Sequence, residues 1–129
     1  METNNPKPVV WIGRSKKHYN SFPPEVLDDF GHALRLVQKG ERIILGAKPL
    51  SGGVLKGLRI TEIVKDFDGD TYRLVYTTKL EGVVYVLHAF KKKSTHGIAT
   101  PQHEIELIRM RYATAVQLHE QEFEGREKK

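Results

Sequence analysis

Several cations of this chain fall where three neighbouring strands would deliver them to one surface. Arg59 and Arg73 alternate with Leu58, Ile60, Tyr72, Leu74 and Tyr76, so each points to the opposite side of its strand from those apolar residues. Lys56 precedes the first of these strands, and Lys91, Lys92 and Lys93 follow the apolar run of the third. If helices cover the apolar side, these positive charges gather on an open face, a concave surface shaped for phosphates. Lysines at strand ends also deter edge pairing. Arg59 and Arg73 could likewise be outward residues paired with Glu62 or Asp70. Only the convergence of three strands favours a site.

A face of this kind can cleave RNA as well as bind it. The ribose 2′-hydroxyl is a built-in nucleophile. Cleavage needs a base for its proton, cations for the pentavalent phosphate and an acid for the leaving oxygen. Lysine, with a reference pKa of about 10.4, is a poor base. Crowded cations favour the neutral form of one of their number, so a cluster can supply both roles at neutral pH.

Other chemistries find little support. His18, His32, His88, His96, His103 and His119 show no ligand-type spacing and there is no HExxH, so no metal is implied. Gly52 and Gly53 are not followed by the GK[ST] of a phosphate loop. The absence of cysteine excludes disulfides and thiolate sites. No cofactor is expected. His88 sits in an apolar strand and reads first as a satisfied core histidine, while its closeness to the lysines keeps it a candidate RNA contact.

The chain that must position these groups has 129 residues, 39% apolar and 29% charged, which fits one globular domain over residues 1–129. Its net charge is +5. The basic surplus lies in residues 1–100, whereas residues 101–129 carry slightly more acid than base. A basic body, unlike a basic tail, suggests a shaped site for a polyanion. No apolar stretch approaches the roughly 20 residues of a membrane span, and METNNPKP lacks the apolar core of a secretory signal. A cytoplasmic protein with no membrane partner is the expectation.

Residues 8–13, PVVWIG, read as a short strand, and 14–22 as polar and turn-like. A helix is predicted over 23–39, capped near Ser21, with Val26, Phe30, Ala33, Leu34 and Val37 on one stripe and Gly40 ending it. Residues 41–55 read as a connection with at most one short helical turn. Strands follow at 57–65, 71–78 and 83–90, the first two joined by the DFDGD hairpin turn. The third is apolar on both faces and suggests cover on both sides. Thr100 and Pro101 open a last helix with Ile105, Ile108, Tyr112, Ala115 and Val116 buried. Residues 1–7 and about 122–129 are expected to be flexible. The sum is an α+β domain, a twisted antiparallel sheet with helices packed on one face.

The series TYRLVY, a short turn, VVYVLHAFKKKS, then TPQHEIELIRMR resembles the RelE/ParE superfamily of type II toxins, and within it the phage-derived, HigB-like branch. The resemblance spans roughly residues 23–112, and its specific part is the block 72–109. It implies a RelE-like fold and a cytoplasmic toxin that cleaves mRNA without a metal, usually on the ribosome. It also implies a cognate antitoxin, a small helix-turn-helix protein. By the same resemblance Arg73 stands at the YR position, and Lys92 and Lys93 form the basic pair after the last strand. Arg59 takes a looser place among the catalytic set, and Tyr112 that of a stacking or acid tyrosine. Lys56, Lys91 and His88 join Tyr112 as RNA contacts. A ParE-like inhibitor of a topoisomerase and a degenerate RNA-binding member are the alternatives. The chain departs from the pattern in lacking a clear second N-terminal helix and in a loop stretched by HGIA, placed beside the substrate.

Overall fold

A computed structural model describes residues 6–43, 46–50, 52–93 and 100–127, with Lys93 and residues 123–127 described by their backbone alone. Five strands form one sheet: β1 (Val9–Trp11), β2 (Gly46–Leu50), β3 (Ile60–Phe67), β4 (Asp70–Thr77) and β5 (Val84–Lys93). Their spatial order is β1-β5-β4-β3-β2. Three helices accompany them: α1 (Ser15–Asn20), α2 (Pro24–Gln38) and α3 (Gln102–Glu127).

The meander is where the sequence places it. Asp68 and Gly69 both have positive φ, 51° and 85°, and Phe67 pairs with Asp70 across them, the two-residue turn whose twist suits a hairpin. β4 continues antiparallel to β5, with a bulge on β5 opposite Val75 and Tyr76. The sheet is mixed, however, and not wholly antiparallel: β1 runs parallel to β5, Val9 opposite Val84 and Trp11 opposite Val86. A parallel neighbour requires a long crossover, which α1, α2 and the first strands of the meander supply.

Helices cover both faces of the sheet, where one covered face was expected. The α2 stripe of Val26, Phe30, Ala33, Leu34 and Val37 packs on Ile63, Tyr72, Leu74, Val86 and Ala89. On the other side Ile108, Tyr112 and Ala115 of α3 pack on Ile60, Val75, Leu87 and Phe90. The reason lies in β5, whose Val86, Leu87 and Ala89 are fully buried yet divide between the two clusters. Apolar side chains on both faces must be removed from water on both.

Local corrections arise from short-range chemistry. Residues read as a turn form α1, which buries Ser15 against β5 through a bond from Ser15 Oγ to the Val86 carbonyl, 3.3 Å. The expected connection contains β2, an edge strand antiparallel to β3 that tolerates Pro49 because one side of it needs no ladder. The short helical turn does occur, at Gly53–Leu55, and buries Leu55. Neither expected side-chain cap forms: Ser21 Oγ donates to the His18 carbonyl and Thr100 Oγ1 to Glu62. The lysines after the third apolar run are strand residues, and α3 stays helical through Glu127, where a frayed end was expected. Residues 94–99, read as a loop near the substrate, lie outside the described residues. Among those described, no helix is long and apolar enough to cross a membrane.

Gly13 turns the chain from β1 into α1 with φ of +60°, and a Cβ there would stand 2.9 Å from Arg111 Nε. Gly40 has φ of +75° with nothing within 4 Å of such a Cβ. Gly40→Ala is therefore expected to cost only the backbone strain of about 1 kcal/mol. Gly13→Ala should cost about twice that by urea denaturation, because Arg111 is displaced as well.

Candidate functional site

Directly paired residues of neighbouring strands share a face of the sheet. Lys48 pairs with Glu62, and Glu62 with Val75. Val64 pairs with Arg73, Arg73 with Phe90, and Thr71 with Lys92. Lys48, Glu62, Arg73 and Lys92 thus stand on one face, drawn from four consecutive strands. Arg73 Nη1 donates to Glu62 Oε2 at 2.9 Å, and Thr100 Oγ1 donates to the same oxygen at 3.0 Å. Lys48 Nζ lies 4.0 Å from Glu62 Oε1. Glu62 is fully buried and Arg73 is 8% exposed. Among the described residues, Glu62 Oε1 and Arg73 Nε have no hydrogen-bond partner.

This arrangement overturns the open cationic hollow. The face that carries Arg73 is the one α3 covers, so its charge is met inside the protein by Glu62, the pairing the sequence offered as an outward one. Of the expected catalytic residues, Arg73 and Lys92 share this face. Lys93 pairs with Asp70 at the end of β5, and its side chain lies outside the described residues. Arg59 is exposed, has φ of 56° and precedes β3 at its far end. It stands five residues from Val64, the partner of Arg73, or about 16 Å at ~3.3 Å per strand residue. Lys56 is exposed beyond it. Lys91 lies on the α2 side of the sheet, 3.7 Å from Asp70 Oδ2. Tyr112 is a core residue on the buried face of α3.

His88 is the satisfied core histidine that the sequence suggested. Arg111 Nη1 reaches His88 Nδ1 at 3.2 Å and also donates to the Leu87 carbonyl at 3.0 Å. Guanidinium only donates, so Nδ1 must accept and the ring proton sits on Nε2. That nitrogen donates to Glu104 Oε1 at 2.5 Å. Burial lowers the His88 pKa below its ordinary value, with the hydrogen bond to Glu104 opposing and the charge of Arg111 assisting.

Lys48, Glu62, Glu104 and Arg111 were not foreseen as site residues. Lys48 was missed because its edge strand reads as a connection. For Glu62 a signal exists: an acid between Thr61 and Ile63, in a strand that otherwise reads apolar and alternating, facing an arginine on the next strand. The pairing is legible, but its burial depends on which face α3 covers. Among the described residues no three His, Cys, Asp or Glu side chains stand close enough to hold a metal ion. What the row offers is a carboxylate beside a guanidinium with an ammonium group at its edge, a set able to accept a proton and to hold an anion.

Residues 17–113 match the model of the family described as phage-derived protein Gp49-like. No curated protein matches the sequence. Among solved structures, the toxin–antitoxin complex RelBE2 from Mycobacterium tuberculosis contains a similar chain, 20% identical with a TM-score of 0.46. The similarity covers 69% of this chain and 99% of that one.

The buried charges lead to two expected outcomes. Arg73→Ala leaves Glu62 ionised without its partner and should cost about 3–5 kcal/mol in urea denaturation. Replacing both, as Arg73→Met with Glu62→Leu, should recover most of that loss, since neither charge is then buried. For His88, the unfolded chain takes up its proton below about pH 6.5, while the folded chain does so only at lower pH. Between those limits the unfolded state binds more protons, so stability falls as pH drops below about 6.5. His88→Gln should flatten that part of a stability–pH curve measured by thermal melting.

Proposed function

This chain belongs to the phage-derived Gp49-like family, within the RelE/ParE superfamily of type II toxins, and from that premise we propose that it is an endoribonuclease toxin acting without a metal ion. Its target is translated mRNA on the ribosome, and its inhibitor is a cognate antitoxin, a small helix-turn-helix protein. The observation that carries this reading is the row of Lys48, Glu62, Arg73 and Lys92 across four strands, with a carboxylate at its centre. The YR arginine and one lysine of the basic pair belong to it.

The roles follow from donor and acceptor capacity. Glu62 Oε2 is occupied by Arg73 and Thr100, and the buried Oε1 lies 4.0 Å from the exposed Lys48 Nζ, so Glu62 positions that ammonium group, which meets the RNA, and does not touch the substrate itself. Arg73 is the residue that holds Glu62 in place. Lys48 and Lys92 supply positive charge to the phosphate as it becomes pentavalent. Arg59 and Lys56, exposed and remote from Glu62, hold the RNA backbone outside the reacting centre. An acidic segment of the antitoxin laid across Lys48 and Lys92 would block the approach of RNA.

One fact favours a second reading, a member that inhibits a topoisomerase without catalysis: the charge of Arg73 is already met by Glu62. Expression without a partner separates the two. On the nuclease reading growth stops and translated messages acquire new 5′ ends within codons, an effect that disappears when translation is blocked first. Lys48→Ala combined with Lys92→Ala should lower the cleavage by about tenfold or more, with the melting temperature little changed. Growth arrest with intact messages and altered plasmid supercoiling would establish the second reading instead.

A further inference from the structure

α3 buries one face against the sheet, marked by Ile108, Tyr112 and Ala115. At about 100° per residue, the opposite face carries Leu107, Met110, Thr114, Gln117 and Gln121. Leu107 is half-buried and the other four are exposed. Their steps of three and four residues are the spacing of a coiled-coil seam. None of the five is charged, although 29% of the chain is. Leu118 stands beside them, 44% exposed, and Met110 is 61% exposed. These are two of the three large apolar side chains that stand exposed among the described residues. A surface helix normally carries its charges on the side that meets water. α3 lacks the one-sided pattern of α2 because it is uncharged on two sides.

The charges beside this stripe are divided along its length. Arg109 and Arg111 flank Met110, and Glu120 and Glu122 flank Gln121. Parallel pairing of two copies would set each arginine against its own counterpart. Antiparallel pairing, with Met110 of one copy opposite Gln121 of the other, sets the arginines against the glutamates, twice over by symmetry. The same register brings Thr114 opposite Gln117, two side chains able to hydrogen-bond across the twofold axis. Among the described residues, Arg109, Glu120 and Glu122 make no ion pair within the chain. α3 also remains helical to Glu127, about two turns past the bond between the Tyr85 hydroxyl and His119 Nδ1. Helical turns without tertiary cover are marginal in water, and a second helix alongside supplies that cover.

We infer that the outer face of α3 is a self-association surface, on which a second copy of this chain lays its own α3 antiparallel. The stripe from Met110 to Gln121 is about 17 Å long at ~1.5 Å per residue. A contact of that length makes a small interface, so the dimer is weak and reversible. The polar pair at its centre lowers stability further and fixes the register. A helix of the antitoxin is the weaker occupant. Nothing in this chain sets the charges of such a helix, whereas a second copy is complementary through its own sequence. The inference does not rest on the nuclease reading, because none of these side chains belongs to the row of Lys48, Glu62, Arg73 and Lys92.

The test is sedimentation equilibrium of the whole chain from about 1 to 500 μM, over which the mass should move from one copy towards two. Met110→Glu combined with Leu118→Glu should weaken association by about 100-fold, because like charges then meet across the twofold axis. Both sites are exposed, so the melting temperature of the monomer should stay where it was. Arg109→Glu and Glu120→Arg should each weaken association by about tenfold, and the two in one chain should restore it to within about threefold. A chain that stays monomeric throughout the range overturns the inference. A dimer indifferent to Met110→Glu with Leu118→Glu uses another face and overturns it equally. Failure of the combined charge reversal to restore association would remove the antiparallel register and the inference with it. If the chain is monomeric and the Met110 and Leu118 variant escapes neutralisation by its antitoxin in cells, the face belongs to that partner instead.

Discussion

A sheet that is apolar on both faces has to be covered twice, and the rest of this molecule is shaped by that requirement. With α2 on one side, the hydrophobic residues of β4 and β5 on the other side leave α3 a single place to lie. Its Ile108, Tyr112 and Ala115 close over Val75, Leu87 and Phe90. The same closure takes Arg73 out of water, because Arg73 and Val75 are two residues apart on one strand and share its face. A buried guanidinium requires an opposite charge, and the register of β3 against β4 supplies Glu62. Hydrophobic cover and the ion pair are thus two consequences of one constraint.

The limits of each covering element explain what must finish the cover. β5 has ten residues, while β1 pairs with three of them. The stretch of β5 beyond Val86 is guarded by α1 and by Arg111, and His88 and Ala89 are buried there. Arg111 has a central part in this. It holds the Leu87 carbonyl and fixes the tautomer of His88, which in turn holds Glu104 at the start of α3. One side chain thereby ties the bulge in β5 to the helix that roofs it.

Much of this could be read from the residues. The meander, its Asp-Gly turn, the α2 stripe and the buried positions of α3 are strong signals because each repeats with a fixed period or needs a special φ. β2 carried no such signal. GAKPL is almost wholly exposed, and an edge strand with a proline looks like a loop. α1 is shorter than two turns and polar, so periodicity had nothing to register. The site failed for a different reason. Alternation placed Arg73 correctly on the face opposite Tyr72 and Leu74, but whether that face is open depends on where a helix some thirty residues later returns. His88 shows the converse. Its apolar neighbours announced burial, whereas the partners that satisfy it, Glu104 and Arg111, come from a distant helix and could not be paired with it by spacing.

The Glu62–Arg73 pair also bears on why such a site would be kept. Replacing a buried ion pair by apolar groups of similar volume is often neutral or stabilising, so its presence is weak evidence of a contribution to stability. Here the pair is incompletely satisfied, with Glu62 Oε1 and Arg73 Nε lacking hydrogen-bond partners among the described residues. An apolar pair would fill the same space beneath α3 without leaving polar atoms unmatched. A fold selected for stability alone has no use for this arrangement, and a register role is already met by the turn at Asp68 and Gly69. The remaining physical reason is that the carboxylate is wanted as a carboxylate, held in one orientation by a guanidinium on one oxygen while the other faces Lys48.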